Sequence, residues 1–211
     1  MTINKTLSLI LLSWITLSAG TAAQSINRKP VTSGHDRLKL FNQQVELTKQ
    51  SEYQSLHWQY LGPTNISGRC TDVEAVRLPG KSLVIWAAAA SGGVWKSENE
   101  GISWTSVFEQ QVTTDIGDIA IDPKNPETVW VGTGEANIFR SSMAGCGIYK
   151  TTDGGKTWAN MGLEDSHTIG RILVHPSNTD VVYVAAGGHE WTSNTERGVF
   201  KTIDGGKTWQ K

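Results

Sequence analysis

The sequence predicts an all-β fold: a β-propeller segment of about three four-stranded antiparallel blades, preceded by a signal peptide and a short helix. Three observations carry this. One turn motif recurs, as Ser97-Glu98-Asn99-Glu100-Gly101-Ile102-Ser103-Trp104, Thr151-Thr152-Asp153-Gly154-Gly155-Lys156-Thr157-Trp158 and Thr202-Ile203-Asp204-Gly205-Gly206-Lys207-Thr208-Trp209. Its tryptophans are spaced by 54 and then 51 residues, a period that fits propeller blades better than helical or leucine-rich repeats. Nine Trp and 22 Gly in 211 residues suit sheets packed through aromatics and joined by glycine turns.

Taken in chain order, Met1 to about Ala23 reads as a cleaved secretory signal: Lys5 in a polar start, an apolar run from Leu7 to Leu17, then small residues up to Ala23. The run falls short of the roughly 20 residues of a membrane span, so the expectation is an exported protein (secreted, periplasmic or at the cell surface) with no stable membrane span. Residues 24–57 read as a linker followed by a helix, capped by Asp36, with Leu38, Phe41, Val45 and Thr48 at helical spacing and an end near Gln50. The helix is expected to pack on the outside of the domain that begins at Trp58. That domain, 58–211, divides into blades at 58–107, 108–161 and 162–211.

Within each blade the repeats align. First strands are expected at Gly68–Val76, Gly117–Pro123 and Gly170–Pro176, the last two stopped by a proline that has no N–H for the ladder. Second strands follow at Leu83–Ala89, Thr128–Thr133 and Asp180–Ala186, and short aromatic third strands at Gly93–Lys96, Gly147–Lys150 and Gly198–Lys201. The turn motif then leads into an edge strand starting at its Trp. In the turn, the side chain of Asn99, Asp153 or Asp204 is expected to fold onto backbone N–H groups two residues on, with Ser97, Thr151 or Thr202 adding a hydroxyl. Gly101, Gly155 and Gly206 accept positive φ, and Trp104, Trp158 and Trp209 tuck between sheets. Because these groups recur once per blade, they read as structural corners rather than catalytic carboxylates or metal ligands.

Nineteen basic against 20 acidic residues give no charge-based case for nucleic acid. Export permits a Cys70–Cys146 disulfide, but the two lie in different repeats, and the preferred reading is a small buried Cys70 and an incidental loop thiol at Cys146. No Cys/His spacing suggests metal, and no cofactor is expected. The sequon Asn65-Ile66-Ser67 would matter only in a eukaryotic secretory pathway, and the chain reads as bacterial.

The pattern Ser/Thr-x-Asp-x-Gly-x-Thr-Trp resembles the Asp-box, or BNR repeat, of bacterial sialidases, xyloglucan-active endoglucanases, sortilin-type receptors and a plant-type photosystem assembly factor. Two copies are complete; the first carries Asn99 in place of Asp. The stretches Trp130–Asn137, His167–Arg171 and Glu196–Thr202 are similar to large exported bacterial proteins with sortilin-like propellers, often labelled glycosyl hydrolases with BNR repeats. The resemblance covers about Trp58 to Lys211 and implies the fold more than any activity. In the xyloglucan-active family a catalytic Asp precedes the Gly-Gly that opens a third strand; Ala90 stands there in this chain. Closed propellers usually carry four to eight blades, so the chain is expected to be an amino-terminal fragment of a larger propeller, or else to complete a ring by self-association through open blade edges.

Candidate binding residues lie on the two long connections between second and third strands, expected on the face opposite the signature turns. Glu135 and Arg140 belong to the first, and His189, Glu190, Trp191 and Arg197 to the second. Trp191 can stack on a sugar or aromatic group, and the charged residues can supply polar contacts. Arg197 with Glu196 reads more simply as an inter-blade ion pair, and His189 as a solvated or hydrogen-bonded loop residue. Arg69, Asp118 and Arg171 align at the start of the innermost strands, where pairing between blades is the simpler account. The function expected is a carbohydrate- or polypeptide-binding module. The alternatives are a glycoside hydrolase, sialidase- or xyloglucanase-like, with catalytic residues mostly beyond this chain, and a non-catalytic assembly or scaffold factor.

Overall fold

The computed structural model describes residues 31–56, 68–77, 80, 82–137 and 142–211. The expected signal peptide, the start of the propeller at Trp58, the sequon and Arg140 lie outside these residues.

Helix α1 spans Gly34–Lys49. Its cap is Ser33 rather than Asp36: the Ser33 hydroxyl accepts from the Asp36 N–H and donates to the Asp36 carboxylate at 2.8 Å. Asp36 thus sits in the first turn, where a negative charge suits the exposed N–H groups. Leu38, Phe41 and Val45 are half-buried as their spacing predicts, while Thr48 is exposed. No helix among the described residues is long and apolar enough to cross a membrane.

Three antiparallel sheets follow. The first is β1 (Cys70–Arg77), β2 (Leu83–Ala89), β3 (Gly93–Ser97) and β4 (Thr105–Ser106), paired in chain order. The second is β5 (Ile116–Ile121), β6 (Val129–Thr133), β7 (Ile148–Thr151) and β8 (Ala159–Asn160). The third is β9 (Ile169–Val174), β10 (Val182–Ala186) and β11 (Gly198–Thr202), extended by a single bridge between Lys201 and Gln210. These meanders are successive propeller blades, and each edge strand begins just after the motif Trp rather than at it.

Sheet pleat and burial agree. Along β6 every residue is buried, because Val129 and Val131 face the first blade while Trp130 faces the third. One core, around Trp86, Phe108, Ile119 and Tyr149, lies between blades one and two; the other, around Trp130, Ile169, Ile172 and Phe200, lies between blades two and three. The inner strands approach so closely that a Cβ on Gly117 would sit 1.9 Å from the Ile169 carbonyl oxygen.

The turn motifs form as expected in kind but reach further along the chain. Asp153 Oδ1 accepts from the N–H groups of Lys156 and Thr157, three and four residues on, and Asp153 Oδ2 accepts from the Thr157 hydroxyl at 2.5 Å. The Thr151 hydroxyl donates to Asp153 and accepts from the Gly155 N–H at 3.0 Å. Asp204 repeats this around Thr202, Gly206 and Thr208; Asn99 makes a weaker version with Ser97, Gly101 and Ser103. Two motif tryptophans bridge blades: Trp158 Nε1 donates to the Val107 carbonyl and Trp209 Nε1 to the Met161 carbonyl, each at 2.7 Å.

Both cysteines are free, and their burial is the reverse of a buried Cys70 and a loose Cys146. Cys70 is exposed, whereas Cys146 is buried under α1, with its thiol 3.3 Å from the Gly34 carbonyl oxygen.

Candidate functional site

The connection after β6 and the segment that enters β9 meet the first turn of α1. The Arg37 guanidinium donates to the carbonyls of Ala144 and Gly145, and the Gly34 N–H donates to Asp165 Oδ1 at 3.1 Å. The helix is therefore anchored by its start to the first long loop and to the segment that enters β9.

The second long loop is braced from within. Asn194 accepts from the His189 N–H and donates to the Asp165 carbonyl, and the Arg197 guanidinium donates to the His189 carbonyl at 2.6 Å. Arg197 is thus a loop brace, while Glu196 accepts from the Asp165 N–H at 2.7 Å; the two do not pair across blades. On this braced loop Trp191 projects into solvent at 86% exposure, with Glu190 half-buried beside it.

His189 points inward. Its Nε2 lies 3.2 Å from Asp165 Oδ2, and its ring stacks on His167 with centroids 3.6 Å apart. His167 holds φ of 56°, a left-handed conformation uncommon outside glycine, and its Nε2 is 3.9 Å from Asp165 Oδ1. Burial, reinforced by His189 and Arg37, lowers the His167 pKa to about 4, so its ring is neutral near pH 7. For Asp165 burial acts upward, but the Gly34 N–H and His189 outweigh it and hold the carboxyl below its ordinary value. Among the described residues, these three form a cluster whose ligand atoms are close enough to hold a metal ion. Sequence reading singled out His189 but missed Asp165 and His167 as its neighbours, because those two enter the blade while His189 follows its second strand.

Glu135 is also turned inward. One carboxylate oxygen pairs with the Arg69 guanidinium of the first blade, and the other is buried without a hydrogen bond. Close by, Asp115 is fully buried, accepts from the Met143 N–H at 2.5 Å, and has its pKa raised to about 6 by burial, with a contribution from the Glu135 charge. Asp115 carried no motif in the sequence.

The inner-strand alignment needs one correction. All three first strands carry the same bulge, at Cys70/Asp72, Ile116/Asp118 and Ile169/Arg171, and the residue that follows it is Asp72, Asp118 or Arg171, so the counterpart of Asp118 and Arg171 is Asp72 rather than Arg69. Asp72 accepts from the Ile119 N–H of the next blade, and Asp118 accepts from the Ile172 N–H at 2.6 Å and pairs with Arg171 at 3.2 Å. These are ties between blades. A separate cleft of about 520 Å³ opens on the turn-motif side between blades one and two, lined by Lys96, Glu98, Glu109, Gln111 and Lys156, away from the long loops.

Residues 92–211, more than half of the chain, match the Sortilin-Vps10 family, described as sortilin, neurotensin receptor 3. A probable oligoxyloglucan-reducing end-specific xyloglucanase of Neosartorya fischeri is 30% identical over 105 residues, 48% of this chain and 12% of that protein. Among solved structures, an ancestral GH74 enzyme matches with a TM-score of 0.56 and 26% identity over 72% of this chain and 19% of that one. A GH74 enzyme of Niastella koreensis matches with a TM-score of 0.46 and 26% identity over 63% of this chain and 20% of that one. The chain spans no more than about a fifth of the length of these relatives.

Proposed function

Since the chain belongs to the Sortilin-Vps10 family, we propose that it serves as an exported binding module whose long-loop face takes a carbohydrate or a polypeptide. The observation that supports this most is Trp191. A solvent-facing indole on a loop fixed by Asn194 and Arg197 offers a flat apolar surface at little conformational cost. Glu190 and, on the neighbouring loop, Arg140 are the candidate polar contacts; Arg197, His189 and Glu135 act by shaping and supporting the loops. The test is titration of the protein with xyloglucan oligosaccharides and with a display library of peptides. Trp191→Ala is expected to weaken whichever ligand binds by about tenfold or more, about 1.4 kcal/mol, with melting temperature unchanged; equal binding by the variant would remove the proposal. We also assign residues 58–211 as the module and place leader cleavage after Ala23, to be checked by the amino-terminal mass of the exported protein.

The buried pair Asp115 and Glu135 favours a second reading, a glycoside hydrolase, since one carboxyl is held near pH 6 beside another carboxylate. The xyloglucanase and GH74 relatives point the same way. Against it, both side chains are covered. Release of reducing ends from xyloglucan oligosaccharides, abolished by Glu135→Gln, would establish hydrolysis and displace the binding role.

A further inference from the structure

We propose that Asp165, His167 and His189 form a binding site for one divalent transition-metal ion of the zinc type, tying the start of the third blade to its long loop. Their ligand atoms all lie within 4.8 Å of one another. Both Nε2 atoms are buried without a hydrogen-bond partner, and His189 is only 7% exposed. Two buried imidazole nitrogens face one carboxylate at ion-pair distance, His189 Nε2 3.2 Å and His167 Nε2 3.9 Å from Asp165 oxygens, and neither contact is a well-aligned hydrogen bond. A cation between the three would satisfy both nitrogens and the carboxylate together.

The donor set selects the ion. Two imidazole nitrogens and one carboxylate suit zinc and its neighbours, whereas calcium and magnesium prefer all-oxygen shells. Three protein ligands also leave a fourth position for water or for a group on a ligand. Supporting contacts orient the set: His189 Nδ1 lies 2.6 Å from the Thr192 hydroxyl, and the tautomer that donates Nδ1–H to that oxygen leaves the Nε2 lone pair for the metal. Asp165 is held by the Gly34 N–H at its carboxylate and by Glu196 at its own N–H. The rings are stacked, 25° from parallel, so metal binding requires them to rotate apart until both in-plane Nε2 lone pairs point at the ion. Metal bound there would stiffen the loop that carries Trp191, although the site stands independently of the binding role assigned to that residue.

The test uses the full exported protein stripped with a chelator and titrated with zinc, and in parallel with cobalt. One zinc per chain is expected, with a raised melting temperature and cobalt d–d bands free of thiolate charge transfer, which separates the site from Cys70 and Cys146. Thr192→Val is expected to weaken zinc by about 10- to 100-fold, and the double variant His167→Gln/His189→Gln to lose it. Absence of stoichiometric zinc binding by the unaltered protein, a thiolate band, or equal affinity in the double variant would overturn the assignment. If the double variant fails to fold, the cobalt spectrum of the unaltered protein, which reports nitrogen and oxygen ligation directly, decides.

Discussion

At Asp118, burial and hydrogen bonding act in opposite directions. Desolvation, helped by the Asp72 charge, raises its pKa to about 7 in spite of the Ile172 N–H and Arg171. A carboxyl raised above its unfolded value holds a proton that the unfolded chain releases, so the contribution of Asp118 to stability is full below about pH 4 and is lost as pH rises through about 7. Asp118→Asn, which keeps an acceptor for Ile172, is expected to flatten that slope, as read from melting temperatures between pH 4 and 8. The turn carboxylates have the opposite sign. Hydrogen bonds from Thr157, Thr151 and Lys156 hold Asp153 well below the ordinary carboxylate range, and Asp204 is held likewise. Their contribution is present above about pH 4 and is lost on acidification. Asn99→Asp completes the first turn and is expected to raise the melting temperature at neutral pH, with the gain vanishing in acid.

Neighbouring elements are joined by a repeated staple. Lys96 lies over the Trp86 ring and donates to the Gly154 carbonyl of the following blade; Lys150 does the same with Trp130 and Gly205. The second glycine of each turn then presses on that tryptophan. A Cβ at Gly206, where φ is 95°, would stand 2.7 Å from Trp130 Cη2. Gly206→Ala is therefore expected to destabilise the chain by about 1–3 kcal/mol through overpacking, measured by denaturant unfolding. Trp158→Phe leaves the Val107 carbonyl without its donor and is expected to cost about 1–2 kcal/mol in the same assay.

For the molecule as a whole, the third blade repeats the surface that its neighbours bury. Trp86 and Trp130 are fully covered, but their counterpart Tyr183 is 38% exposed, with Leu173 and Val199 open beside it and Lys201 over its ring. This face matches what a turn motif covers elsewhere in the molecule. Self-association through it is the expected behaviour of the isolated chain, and Val199→Lys is expected to reduce the assembled fraction in sedimentation. A compact monomer at high concentration, unchanged by the variant, would count against it.

Legibility in the sequence followed the range of the interactions. The turn motifs, the β2 and β3 strands and the face of α1 were readable because their hydrogen bonds and pleat act within a few residues, and repetition marked them as structural. The ties between blades were not. Matching Gly68 to Gly117 and Gly170 put Arg69 where strand register places Asp72; Glu135 turned from a solvent contact into a buried partner of Arg69, and Arg197, still exposed, became a brace of its own loop. The sequence alone determined a propeller of Asp-box blades. The meeting of Asp165 and His167 with His189, and of Asp115 with Glu135, was decided only by the tertiary structure. Each group joins residues from separate loops, and no local period encodes the distance between loops that only packing brings together.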